Sequence, residues 1–105
     1  MTNTQKIILF VGLFDQTSKA QEITTLDAYK VASNLVTDII GFGTITEAVG
    51  IYTHDDGTIV NEPTLRIEVS GIDIESMKRL ALALKSAFNQ ESIGFEVVKS
   101  DFSFV

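Results

Sequence analysis

Hydrophobic and polar positions follow two periods along the chain, one typical of strands and one typical of helices. From Lys6 to Phe14, apolar residues occupy both alternating sets of positions, which predicts a central strand covered on both faces. The stretches from Thr44 to His54 and from Ile59 to Ser70 flank a glycine-containing turn, so they predict a β-hairpin. Pro63 cannot donate a ladder hydrogen bond, so we expect a bulge or a late strand start there. A last strand is predicted from Ile93 to Val105.

Apolar residues recur three and four positions apart in two further segments, which predicts two helices. The first runs from Leu26 to Ile40 with Thr24 as its cap, and the second follows a cap at Asp73 and ends near Asn89. The order strand, helix, hairpin, helix, strand is that of the ferredoxin-like βαββαβ fold. We therefore predict an α+β protein with an antiparallel four-stranded sheet and two helices on one face, in one domain spanning residues 1–105.

The other face of this sheet has no predicted element left to cover it. Side chains alternate between the faces of a strand, so Leu9, Val49 and Ile51 are expected to point toward the helices. The aromatic residues expected on the open face are Phe10, Phe14, Tyr52, Phe102 and Phe104. Because an exposed apolar face usually marks a partner surface, we expect a homodimer that stacks its sheets.

Two glycines on the open face suggest a ligand groove as well. Gly12 and Gly50 lack side chains, so they leave room at the floor of such a groove. A groove and a dimer interface are compatible, since ligand sites often form at interfaces.

Composition narrows the classes of protein. The 105 residues include no cysteine, which excludes disulfides, thiolate metal sites and cysteine nucleophiles. The formal net charge of −6 disfavours binding to nucleic acid polymers and to anionic membranes. The apolar stretches are of strand length, far below a membrane span, and the first residues lack the pattern of a signal peptide. We therefore expect a cytoplasmic location, in the producing cell or in a host.

The open face also carries the candidate chemistry. Arg66 could form a cross-strand ion pair, or it could hold a small anionic ligand while Tyr52 or Phe10 stacks on a ring. His54, the one histidine, could act as a general base, but its place at a strand end beside an Asp-Asp-Gly turn favours an ordinary exposed polar residue. No nucleophile–base set and no ligand cluster is recognisable, so we predict no catalytic residue, no metal and no cofactor. The candidate site residues are Phe10, Gly12, Gly50, Tyr52, His54, Glu62 and Arg66.

Four segments resemble an uncharacterised bacterial family of small ferredoxin-like proteins, one of the domain-of-unknown-function groups. They are Leu9-Phe10-Val11-Gly12-Leu13, Thr46-Glu47-Ala48 leading to Gly50-Ile51-Tyr52, the hairpin stretch from Asp56 to Pro63, and Phe88-Asn89-Gln90-Glu91-Ser92-Ile93. The resemblance implies the fold and no activity, since the family has none established. Glu62 or Gln90 either bonds backbone groups that Pro63 and the end of the second helix leave without partners, or lines the rim of a site.

Three functions are compatible with these observations. The first is a non-enzymatic protein that dimerises through its open sheet and binds a small molecule or a protein partner. The second is a phage-type counter-defence protein that sequesters a nucleotide signal or blocks a host enzyme. The third is a cofactor-free enzyme similar to the dimeric ferredoxin-like barrels, with Tyr52 and His54 as its candidate residues.

Overall fold

The computed structural model describes residues 5–105, and its element order confirms the predicted βαββαβ arrangement. The sheet is four-stranded with the order β2-β3-β1-β4, and each neighbouring pair of strands is antiparallel. The elements are β1 (Gln5–Gly12), α1 (Thr25–Ile39), β2 (Thr44–Thr53), β3 (Ile59–Ser70), α2 (Ile74–Ala87) and β4 (Gly94–Lys99). None of the helices among these described residues is long and apolar enough to cross a membrane.

Both helices begin where the predicted caps lie. The Thr24 hydroxyl accepts a hydrogen bond from the Asp27 amide at 3.2 Å, and the Asp73 carboxylate accepts one from the Ser76 amide at 2.9 Å. Each bond satisfies an amide that the first helical turn leaves without a partner inside the helix. The caps therefore fix where each chain segment leaves the sheet and starts to cover it.

The core lies between the helices and one face of the two central strands. The alternation on β1 is as predicted, with every second residue from Ile7 to Leu13 at most 2% exposed. These side chains pack with the inner face of β3 and with the apolar stripes of both helices. Burying large aliphatic side chains contributes about 1.5–3 kcal/mol each relative to exposure, so this layer holds the sheet and the helices together.

The expected irregularity at Pro63 is wrong. The pairing of β2 with β3 runs without a break through Val49↔Pro63, and β3 begins at Ile59. The Pro63 carbonyl accepts a hydrogen bond from Leu13 at 2.9 Å, so this residue turns its polar backbone toward β1. The nitrogen and the carbonyl of a strand residue face the same side. The missing N–H of Pro63 therefore removes nothing from the ladder with β2.

The hairpin extends past the helices, which the alternation could not reveal. Val49 and Ile51 lie on the helix side of the sheet, as predicted, yet they are 63% and 71% exposed. The helices therefore do not cover this end of the hairpin. The last strand is also shorter than predicted, since β4 ends at Lys99. Phe102 and Phe104 therefore lie outside the sheet and pack on each other in a T-shaped pair, with ring centroids 5.0 Å apart.

Candidate functional site

The open face of the sheet is divided into a charged half and a concave half. In the charged half, Arg66 Nη2 lies 2.9 Å from Glu68 Oε1, and Lys6 Nζ lies 3.8 Å from the same oxygen. Glu68 pairs across the strands with Ile8, which is only 4% exposed although it is on the open face. Arg66 therefore forms an ion pair, but with Glu68 two residues along β3 and not with a carboxylate across the strands as predicted. This half of the face is less apolar than the sequence pattern indicated.

The concave half is a pocket of about 910 Å³ that opens to solvent. It brings together all the candidate residues predicted from the sequence except Arg66, which does not line it. Its volume falls within the range typical of small-molecule sites. The lining residues from the sheet are Phe10, Gly12, Gly50, Tyr52, His54, Val60, Glu62 and Thr64, and those from the segments after β1 and α2 are Phe14, Asp15, Gln16, Lys19, Gln90, Glu91 and Ser92.

Glu62 occupies the space that Gly12 leaves free. A Cβ atom built on Gly12 would stand 2.5 Å from Glu62 Cδ and 2.6 Å from Oε1, so no larger residue allows the carboxylate to lie there. Glu62 Oε2 accepts a hydrogen bond from the Phe14 amide at 2.8 Å. Among residues 5–105, no lysine, arginine or histidine nitrogen pairs with this carboxylate. The pocket thus contains a fixed carboxylate without a cation partner.

The segment after β1 is tied to the end of α2. Gln90 Nε2 donates to the Phe14 carbonyl at 2.7 Å and to the Phe88 carbonyl at 3.3 Å. The sequence offered two accounts of Glu62 and Gln90, as partners of free backbone groups or as the rim of a site. Gln90 does bond a carbonyl at the end of α2, that of Phe88, whereas Glu62 bonds the Phe14 amide and not a group that Pro63 leaves free. Both side chains also line the pocket.

Asp15 adds a second carboxylate, which sequence reasoning missed. It accepts hydrogen bonds from Asn89 Nδ2 at 2.9 Å and from the amides of Thr17 and Ser18 at 2.8 and 3.0 Å. The Asn89 side chain first, and then the two amides, lower the pKa of Asp15 below the usual 3.8. The sequence carries a signal for this turn, because an aspartate that opens a polar stretch such as Asp15-Gln16-Thr17-Ser18 favours an Asx turn.

Aromatic rings form the walls of the pocket. Phe10 and Tyr52 are 39% and 45% exposed, and the rings of Tyr52 and His54 meet edge to face with centroids 5.3 Å apart. The charged side chains in the lining are Asp15, Glu62, Glu91 and Lys19. Because carboxylates outnumber ammonium groups, the lining favours a ligand that carries positive charge over the small anion expected from Arg66. Within the described part of the chain, no group of histidine and acidic side chains is placed to hold a metal ion.

Several solved structures are similar to this chain in their fold. The chain matches no family model and no curated protein. A phage SAM lyase in complex with S-methyl-5′-thioadenosine is 24% identical, with a TM-score of 0.67 over 90% of this chain and 80% of that one. CutA from Synechococcus elongatus is 15% identical, with a TM-score of 0.57 over 94% and 80% of the two chains. The PII-like protein CutA from Nostoc is 14% identical, with a TM-score of 0.58 over 92% and 81%. At these identities the likeness shows the shared ferredoxin-like fold.

Proposed function

We propose that this protein binds, in its open-face pocket, a small organic cation that carries a flat ring, and that S-adenosylmethionine is the candidate ligand. The observation that carries the proposal is the Glu62 carboxylate, which the Phe14 amide holds in a pocket that Phe10 and Tyr52 also line, and which has no cation partner among residues 5–105. A carboxylate attracts a positive centre more strongly in a partly desolvated pocket than in water. Aromatic faces attract both cations and flat rings.

S-adenosylmethionine matches this lining in its chemistry. Its adenine can stack on a ring such as Phe10 or Tyr52, and its sulfonium has a positive charge but no hydrogen to donate, so it depends on nearby negative charge. The fold neighbour named as a phage SAM lyase, in complex with S-methyl-5′-thioadenosine, supports this choice of ligand. S-methyl-5′-thioadenosine is the neutral thioether that retains the adenosine part, so the two compounds together separate ring recognition from charge recognition.

Isothermal titration calorimetry with S-adenosylmethionine and S-methyl-5′-thioadenosine tests the proposal. Glu62→Gln keeps an acceptor for the Phe14 amide but removes the charge. We expect it to weaken binding of S-adenosylmethionine about tenfold, equivalent to about 1.4 kcal/mol, and to change binding of the neutral compound less than about twofold. Glu96→Gln is the matched control, because Glu96 lies on the same face opposite Ile8 and outside the pocket. Wild-type protein that binds neither compound, or that prefers inorganic phosphate, would contradict the proposal.

Cleavage of the same ligand is a second candidate function, supported by the word lyase in the neighbour's name. Release of S-methyl-5′-thioadenosine breaks the bond between the sulfonium sulfur and the γ-carbon of the amino acid part. The bonding electron pair goes to sulfur, and the substrate's own carboxylate can bond to the γ-carbon and close a lactone. The atoms and electrons balance within one substrate molecule, which is compatible with the cofactor-free enzyme expected as an alternative.

A product assay separates these functions. Mass spectrometry of S-adenosylmethionine incubated with the protein should detect S-methyl-5′-thioadenosine if the protein cleaves its ligand. Tight binding without this product would support the non-enzymatic binding protein instead. Either activity would serve a phage-type protein that removes a nucleoside compound in the cytoplasm, and the phage origin of the neighbour supports that role.

We also propose that the protein forms homo-oligomers. Val49, Ile51 and Ile59 are exposed on the helix side of the hairpin, and Phe10 of β1 and Tyr52 of β2 are partly exposed on the open face of the sheet. Covering these apolar side chains in a second copy would stabilise the assembly. Multi-angle light scattering at micromolar concentration should give a mass above 11.5 kDa, and a monomeric mass would contradict this part of the proposal.

A further inference from the structure

We propose that Gln90 is a positioning residue for the Glu62 carboxylate and that it acts through the backbone of Phe14. The proposal rests on the proposed function, since it concerns the selectivity of the same pocket. It assigns to the end of α2 a role in choosing a cationic ligand, beyond closing a helix.

Phe14 connects the two side chains because each binds one side of it. Its amide donates to Glu62 Oε2 at 2.8 Å, and its carbonyl accepts from Gln90 Nε2 at 2.7 Å. Phe14 lies beyond the ladder between β1 and β3, which ends at Gly12↔Thr64. Beyond it, Leu13 makes one more bond, to the Pro63 carbonyl, and Phe14 itself forms an isolated bridge with Gln21. The neighbouring Asp15 amide bonds to the Ala20 carbonyl at 2.9 Å, so backbone bonds position the segment, while the bonds from Glu62 and Gln90 fix the direction of the Phe14 amide and carbonyl.

The end of α2 holds Gln90 in place to make its contact. Asn89 has a left-handed φ of 47°, the Gln90 amide bonds to the Lys85 carbonyl at 2.9 Å, and the Asn89 amide bonds to the Ser86 carbonyl at 3.3 Å. These two bonds make up the Schellman motif, in which the residue after the left-handed one has a fixed direction. Gln90 is only 8% exposed, so its long side chain is already ordered before a ligand arrives.

Loss of the Gln90 donor should therefore reach Glu62 without removing its charge. The Phe14 carbonyl would lose its partner, the Phe14 amide would move, and the carboxylate would no longer be held in one position. A displaced carboxylate attracts a bound cation less strongly, whereas the affinity for a neutral ligand changes little. Preorganised groups owe their selectivity to such supporting contacts.

The test uses Gln90→Met, which has a similar length and no donor, and Gln90→Asn, which keeps the amide but is one methylene too short to reach Phe14. For both folded variants, the ratio of affinities for S-adenosylmethionine and S-methyl-5′-thioadenosine should fall about tenfold. Thr17→Ala is the matched control, because it removes the 3.2 Å bond from Asn89 Nδ2 between the same loop and helix end but leaves Phe14 untouched. Its ratio should stay within about twofold of the wild-type value. An unchanged ratio in the Gln90 variants would overturn the proposal.

A second measurement works without any ligand and separates this proposal from the proposed function. In the wild-type background, Glu62→Gln should shift the amide NMR resonance of Phe14, because it changes that amide's acceptor. In the Gln90→Met background, the same substitution should shift the resonance much less, which is the coupling that a double-mutant cycle measures. Equal shifts in the two backgrounds would refute the positioning role even if S-adenosylmethionine binds. Unequal shifts would support it even if a different cation is the ligand.

Discussion

Gly12→Ala should change ligand selectivity more than it changes stability. The new methyl group would meet the Glu62 carboxylate at 2.5 Å from Cδ, whereas an ordinary contact is 3.4–4 Å, so the carboxylate must retreat by about 1 Å or more. This end of a flexible side chain can move into solvent. The backbone therefore stays in place while the carboxylate leaves its position at the Phe14 amide.

The magnitude follows from two opposing contributions. A hydrogen bond to a charged group contributes about 1.5–3 kcal/mol, but water can replace part of it because Glu62 and Phe14 are both partly exposed. Replacing a glycine within a strand by alanine raises the free energy of unfolding by about 0.5–1 kcal/mol. The free energy of unfolding should therefore fall by only about 1 kcal/mol. Affinity for S-adenosylmethionine should fall about tenfold, since the charge is no longer held at the pocket floor.

Gly50→Ala is the matched control for this prediction. Gly50 also lines the pocket, but a Cβ there would meet Thr64 Oγ1 at 3.1 Å and not the Glu62 carboxylate. It reduces the space for both ligands, so the ratio of affinities for S-adenosylmethionine and S-methyl-5′-thioadenosine should remain near the wild-type value. Calorimetry gives the affinities, and urea denaturation gives the stabilities. If Gly12→Ala kept the wild-type ratio while Gly50→Ala lost it, the carboxylate would not be the determinant of charge selectivity.

Two further predictions concern stability. Thr24→Ala removes the cap of α1 and should lower the free energy of unfolding by about 1 kcal/mol in urea, whereas Ser33→Ala, within the same helix, should change it less. Hydrogen bonds from Asn89, Thr58 and Ser76 lower the pKa values of Asp15, Asp56 and Asp73 respectively, below the usual 3.8. The unfolded chain therefore binds protons at a higher pH than the folded one, so this stabilisation is complete above pH 3.8 and is lost as the pH falls through the lowered values. The urea midpoint should decrease from pH 5 to pH 2, and a midpoint that rises on acidification would contradict the assignment.

The fold was predictable because its signals are local. The alternation on β1, the caps at Thr24 and Asp73 and the glycine turn of the hairpin each depend on neighbouring residues, and each is where the sequence placed it. The errors arose where an outcome depends on distant elements. Ile51 lies on the helix side of β2, as core residues do, but the sequence of β2 does not show how far the helices reach along the sheet. The end of β4 at Lys99 likewise depends on its register with β1.

The location of the candidate pocket was predictable from the sequence, and its lining charges were predictable only in part. Parity alone placed Gly12, Gly50 and Tyr52 on one open face, and they line one pocket. The charge of that pocket could not be derived in the same way. It depends on Arg66 pairing with Glu68 instead of pointing into the pocket, and on the loop bringing Asp15 to the rim. The conformation of a loop and the choice among nearby ion-pair partners depend on residues that are distant in the sequence. The alternation of side chains along a strand does not predict them.

The hydrogen bonds that complete the fold at Phe14 are also what would make the pocket selective. A lone carboxylate on a solvated sheet could turn toward water, and its attraction for a cation would be reduced by the cost of ordering it at binding. The Glu62 carboxylate is already ordered in the folded protein, because the Phe14 amide needs an acceptor. The absence of a side chain at Gly12 leaves room for the carboxylate at that amide. Gln90 then fixes the same residue from the helix side. The structural and functional interpretations of Glu62 and Gln90 are thus two consequences of one set of contacts. A substitution that disturbs Phe14 should therefore change stability and charge selectivity together, whereas one that only narrows the pocket should leave selectivity intact.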